Sequence, residues 1–177
     1  MFKALADEKK TVTDEDIEAL INNEIYKPEP VWDLISVHVT AGDRVAPTAT
    51  VCMAHQDGTE ITKSDIGTGP VDAIYQAIGL ITGSTQTTKL AAFEIGAITE
   101  ASDALGEVTV RLKPDFSAQG YTDTGTSPSY TGKGTDIDIL VASARAYVNA
   151  LNRMLTAEQD PRDFKQATKI KDEGASV

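Results

Sequence analysis

The sequence predicts an α+β fold built from two βββα-type units related by pseudo-two-fold symmetry and preceded by a short linker helix. Three observations carry this prediction. Two stretches with helical apolar spacing recur along the chain, and each follows a run of β-branched and apolar segments. Glycines stand ahead of both helical stretches, Gly67 and Gly69 before the first and Gly132 and Gly134 before the second, as an internal duplication would leave them. The 177 residues suffice for one domain with a core, in which both apolar stripes are buried against sheet faces.

The elements follow in order. In "TDEDIEALINNEI", Ile17, Leu20, Ile21 and Ile25 share one helical face, and Thr13 with Asp16 forms a capping box. "YKPEP" then ends that helix, so residues 1–30 read as a linker segment. "WDLISVHVT" and "TATVCMAH" have strand composition, and "QDG" turns the chain into "TEITKSDI". A helix follows, with Val71, Ile74, Tyr75, Ile78 and Ile81 on its buried face, which closes a first unit at about 31–84. After the turn-rich "TGSTQTT" the order repeats over about 88–157. "KLAAFEIGAIT" and "LGEVTVRLK" read as strands, and a loose third β segment is expected between Gln119 and Tyr130. The last helix carries Val141, Ala144, Val148, Leu151 and Leu155 on one stripe, with Thr135 and Asp138 as its capping box. Residues 114–131 are rich in Gly, Ser, Thr and Asp and predict an excursion, and residues 158–177 read as a polar tail.

Composition narrows the function. A formal charge of −11 opposes nucleic acid and anionic membrane as partners, since phosphate binding draws on clustered Lys and Arg. No apolar run reaches the roughly 20 residues of a membrane span. The N-terminus lacks a signal peptide's apolar core, so a cytoplasmic location is expected. Cys52 is the only cysteine and reads as a small core residue. His38 and His55 have no metal-binding spacing, and no GxSxG elbow is present; no catalytic residue, metal or cofactor is expected.

The stretch "DIGTGPVDAIYQAI" can be read in two ways. As local structure, Gly69 ends the loop, Pro70 suits the first helical position, and Asp72 complements the helix dipole. As a site, the same turn directs backbone N–H groups at an anion. It lacks the lysine of a phosphate loop and a full GxGxxG.

At these residues the chain resembles the C-terminal regulatory (LeuA allosteric, dimerisation) domain of the 2-isopropylmalate synthase and citramalate synthase family. "GTGPVDAIYQAI" and "GKGTDIDILVASARAYVNALNR" are similar to the family's two turn-and-helix motifs. "ITEASDALGEVTVRL" is similar to the segment between them, and "FKALADEKKTVTDEDIEALI" to the linker from its catalytic barrel. The likeness runs from Phe2 to about Leu155. It implies a regulatory part without the family's chemistry, which belongs to a separate barrel that binds a divalent metal and uses acetyl-CoA as substrate. It also implies a homodimer coupled to that barrel.

The resemblance further implies feedback inhibition by leucine, with isoleucine as effector in the citramalate synthases; a dimerisation module that has lost its ligand is the rival. Carried over by motif, the effector site comprises Gly67, Thr68, Gly69, Pro70, Val71 and Asp72. To these it adds Leu90, Phe93, Ala97, Asp103, Ala104 and Gly106 from the middle segment, and Asp138 and Ile139 from the second turn. Helix-start N–H groups would receive the amino acid's carboxylate, an aspartate its ammonium, and the apolar residues its branched side chain.

Overall fold

The computed structural model describes residues 30–85, 87–97, 105–115 and 128–159. The helix expected over Thr13–Ile25, most of the linker, Asp103, Ala104 and the polar tail lie outside these residues.

Strands β1 (Trp32–Gly42), β2 (Val45–His55) and β3 (Glu60–Ile66) form an antiparallel sheet in that order, followed by helix α1 (Pro70–Thr82). Strands β4 (Thr88–Ala97), β5 (Gly106–Pro114) and β6 (Tyr130–Asp136) form a second, followed by α2 (Ile139–Gln159). The two βββα units are those the sequence predicts. Alternation sorts β2 cleanly, with Ala49, Val51 and Met53 buried and Thr50, Cys52 and Ala54 half-buried on the other face. Cys52 is therefore not a core residue, because its parity differs from that of Val51 and Met53.

The pairing register repeats between the units. Leu34, Val37 and Val39 oppose Met53, Val51 and Ala49; Leu90, Phe93 and Ile95 oppose Leu112, Val110 and Val108. The first strand of each unit carries a register shift at the same place, between Leu34 and Ser36 and between Leu90 and Ala92, and β1 has a second between Thr40 and Gly42. In the third strands, Lys63 opposes Val51 as Gly132 opposes Val110, and Asp65 opposes Ala49 as Gly134 opposes Val108.

This register corrects two expectations. The third strand of the second unit lies at Tyr130–Asp136, C-terminal to the expected interval, and includes the glycines taken to mirror Gly67 and Gly69. The residues that do correspond to Gly67 and Gly69 are Asp136 and Asp138. Gly132 and Gly134 serve packing instead: a Cβ on either would stand 2.2 Å from a carbonyl of α2. The glycines let α2 lie directly on β6.

The helices form a layer between the sheets. Helix α1 packs on β2 and β3, while α2 packs on β5 and β6 and also reaches β1. Tyr75 of α1 stacks on Tyr147 of α2 at 4.2 Å and meets the edge of Phe93 on β4 at 6.4 Å. One apolar core results, joining the inner faces of both sheets to both helices. Asn152 links the units, accepting from Trp32 N and donating to Trp32 O.

The two helices start at the same end of the molecule. Asn152 and Met154, late in α2, lie against Trp32 and Thr88, which begin β1 and β4. Helix α1 finishes at Gly83, shortly before Thr88. Both strand-to-helix turns therefore lie at the opposite end, with the tips of β3, β4 and β6.

Candidate functional site

The first turn folds back on its own helix. Gly67 N donates to Pro47 O at 2.9 Å, which ends β3, and a Cβ on Gly67 would stand 2.2 Å from Ala73 N. That glycine is required for close approach. Asp72, in the first helical turn, receives Thr68 N at 2.8 Å and Thr68 Oγ1 at 3.0 Å on one oxygen, and Gln76 Nε2 at 3.4 Å on the other. The Thr68 N–H bond chiefly holds the Asp72 carboxyl below its ordinary value. Asp72 thus sets the turn's shape. Gly69 is the N-cap and supplies no side-chain cap; its backbone is extended and a Cβ there would meet nothing within 4 Å. Pro70 follows at the first helical position, where its missing N–H costs nothing.

The second turn differs. Asp138, not Thr135, is the N-cap of α2, and its Oδ1 accepts Leu140 N at 2.8 Å. Thr135 lies within β6, because the strand runs on to Asp136. Asp136 accepts Asp138 N at 3.0 Å and pairs with Arg145 at 2.7 Å. This helix start is closed by carboxylates, whereas the first is left open by a glycine.

The structure brings most of the sequence-predicted residues to this end. Ala97, Gly106 and Asp136 are neighbours across β4, β5 and β6, and a Cβ on Gly106 would stand 2.8 Å from Ile139 Cδ1. Phe93 lies further down the inner face of β4 beside Tyr75, which is one helical turn below Val71. Leu90 is further again, opposite Leu112 and away from the turns. Asp103 and Ala104 are outside the described residues.

Several large apolar residues near this end remain in solvent: Ile137 is 75% exposed, Ile66 60% and Ile95 59%. Ile95 is on the helix-facing side of β4, in the row of Phe93, yet nothing covers it as core would.

Tyr75 was not among the site residues because its helical spacing marks it as core. Its hydroxyl is buried without a hydrogen-bond partner among the described residues. Burial raises its pKa, and burial likewise pushes Tyr147 up to about 12. An unmet buried hydroxyl is a cost with no composition signal.

The remaining polar groups are arranged for structure. His55 Nδ1 lies 3.0 Å from Asp57 Oδ2 at the β2–β3 turn, and His38 is exposed on a strand. Among the described residues no group of His, Cys, Asp and Glu could hold a metal ion, and no helix is long and apolar enough to cross a membrane. A groove of about 320 Å³ lies between β1, β6 and α2, lined in part by Asp33, Lys133 and Arg145, and includes none of the sequence-predicted site residues.

The structure defines the chain as a member of the class of α+β proteins built from two βββα units, with one open and one closed helix start. Comparison with known proteins specifies it further. The pattern of the LeuA allosteric (dimerisation) domain matches residues 11–155, and the chain belongs to that family. It is 40% identical over 158 residues to a 2-isopropylmalate synthase of Parasynechococcus marenigrum (strain WH8102), covering 89% of this chain and 27% of the relative. A 2-isopropylmalate synthase of Prochlorococcus marinus (strain MIT 9211) is 41% identical over 158 residues, 89% of this chain and 27% of that one. One of Crocosphaera subtropica (strain ATCC 51142 / BH68) is 42% identical over 159 residues, with 90% and 27% covered. The chain spans about a quarter of the length of these relatives.

Proposed function

We propose that the chain is the leucine-binding regulatory and dimerisation domain of a cytoplasmic 2-isopropylmalate synthase, with the amino-acid-binding region at 31–157 and no catalysis of its own. The observation that carries this reading is the open start of α1. Gly69 faces free space, Asp72 fixes the turn around it, and exposed apolar residues surround it.

Chemically, a free amino acid suits such a place. Its carboxylate meets the N–H groups and positive end of a helix whose cap has no side chain. Its ammonium has the carboxylates of Asp72, Asp103 and Asp138 as candidate partners, those of Asp72 and Asp138 already oriented by backbone N–H groups. A branched side chain would lie on Val71, Phe93, Ala97 and Ile139, with Gly67, Thr68, Pro70 and Gly106 shaping the walls and Leu90 at the far margin; Ala104 joins the set by the family motif. Inhibition further requires that leucine bind two states of the synthase unequally, so the homodimer and the catalytic barrel are the partners through which it acts.

Calorimetric titration of the chain with leucine and isoleucine tests the reading. Leucine heat that disappears in Gly69→Val with the circular dichroism spectrum unchanged is the expected result, because the new side chain has room in the fold and blocks only the approach to the turn. No response to either amino acid removes the effector reading. A response to isoleucine alone reassigns the effector, a distinction a hydrophobic pocket makes by only about 1–3 kcal/mol.

A further inference from the structure

The two units finish their third strands differently. The free edge of β6 is closed by its own helix: Arg145, Asn149 and Arg153, at four-residue spacing on α2, donate to the carbonyls of Thr135, Lys133 and Thr131 at 2.9, 2.8 and 2.7 Å. An uncovered edge templates pairing with another strand, and this ladder prevents it.

Among the described residues, the corresponding edge of β3 has no such ladder. Gly67 N bonds to Pro47 on β2, so alternation points the backbone groups of Thr62, Ser64 and Ile66 outward. All three residues are exposed, with Ile66 N donating to Asp65 Oδ1 at 2.8 Å and the remaining outward groups facing solvent. The residues that correspond to Arg145, Asn149 and Arg153 are Gln76 and Leu80 of α1 and Ser84, just beyond its C-cap. Gln76 is turned to Asp72, Ser84 to Thr82, and Leu80 is 46% exposed. A leucine thus stands above an open strand where the other unit has an asparagine closing one.

We propose that this edge is where a second copy of the chain pairs, β3 against β3, antiparallel and centred on Ser64, giving one six-stranded sheet across the dimer. The proposal rests on the dimeric reading above and specifies its surface. Charge selects the register. With Ser64 opposite its own copy, Lys63 falls opposite Asp65 of the second copy and Asp65 opposite Lys63, two cross-strand ion pairs on the helix-facing side. Within one copy, neither side chain has an ionic partner among the described residues. Shifting the centre to Lys63 would instead set lysine against lysine. The helices agree with this register. Asn149 reaches the carbonyl of Lys133, the residue corresponding to Ser64, so Leu80 stands level with Ser64 and meets the Leu80 of the second copy across the axis.

Sedimentation equilibrium of the full chain tests the pairing. Asp65→Lys sets four lysines together and is expected to weaken the dimer about tenfold or more. The exchanged variant Lys63→Asp with Asp65→Lys restores the pairs and should recover it. Leu80→Asn, at an exposed position where the fold is indifferent, transplants the β6 closure and should also weaken association. A dimer indifferent to Asp65→Lys and Leu80→Asn, or a failure of the exchange to restore it, overturns the proposed edge and leaves the dimeric reading intact. A wild-type chain that stays monomeric at all concentrations overturns both.

Discussion

At the scale of single residues, the candidate site is built from unlike glycines and aspartates. Gly67 is needed because α1 passes too close for a Cβ, whereas Gly69 has open space before it. Gly67→Ala is therefore expected to destabilise the fold by about 1–3 kcal/mol in thermal melts, with binding lost only as folding is lost. Asp72 and Asp138 both serve helix starts, one by reaching back to Thr68 and the other as a true cap. The Asp72 carboxyl is held below its ordinary value of 3.8, so it favours the folded state when ionised. Its contribution is complete above that value and is lost as pH falls through the lower, folded-state value. Asp72→Asn should flatten the acid side of a stability-against-pH curve by lowering its neutral plateau, with little change below the folded-state value.

At the scale of elements, α2 lies directly on β6. Gly132 and Gly134 bring strand backbone against the carbonyls of Ala146 and Ala142, and three side chains then tie helix to strand edge. Gly134→Val would push the two apart. A loss of about 3 kcal/mol or more in denaturant unfolding is expected, far beyond that of a valine at exposed Gly96, where a Cβ meets nothing within 4 Å. The strands and helices themselves were legible, because β-branched runs and three-to-four spacing are local signals. The start of α2 was misread for the same reason. "GKGTD" has the composition of a loop, and only the ladder to Tyr130, Gly132 and Gly134 opposite Leu112, Val110 and Val108 shows it to be strand.

At the scale of the whole molecule, one buried layer joins the two units. Asn152 fastens α2 to the backbone of Trp32 in the other unit, and Asn152→Ala is expected to cost about 1–3 kcal/mol by leaving those groups unpaired. The stacked Tyr75 and Tyr147 report on the same layer. Both hydroxyls are harder to ionise than usual because they are buried, so their share of stability is complete below pH 10 and is lost as pH rises, for Tyr147 through about 12. Ultraviolet titration should show these two tyrosines ionising only together with alkaline unfolding. The sequence by itself determined the two βββα units, the buried faces of both helices and the family resemblance, because periodicity and motif are written in neighbouring residues. Tertiary structure alone decided that the glycine turns are not duplicates and that, among the described residues, one strand edge is closed by its helix, the other is not, and a tyrosine hydroxyl is buried without a partner. Each of those depends on which surfaces meet across long separations in the chain, and no local pattern records that.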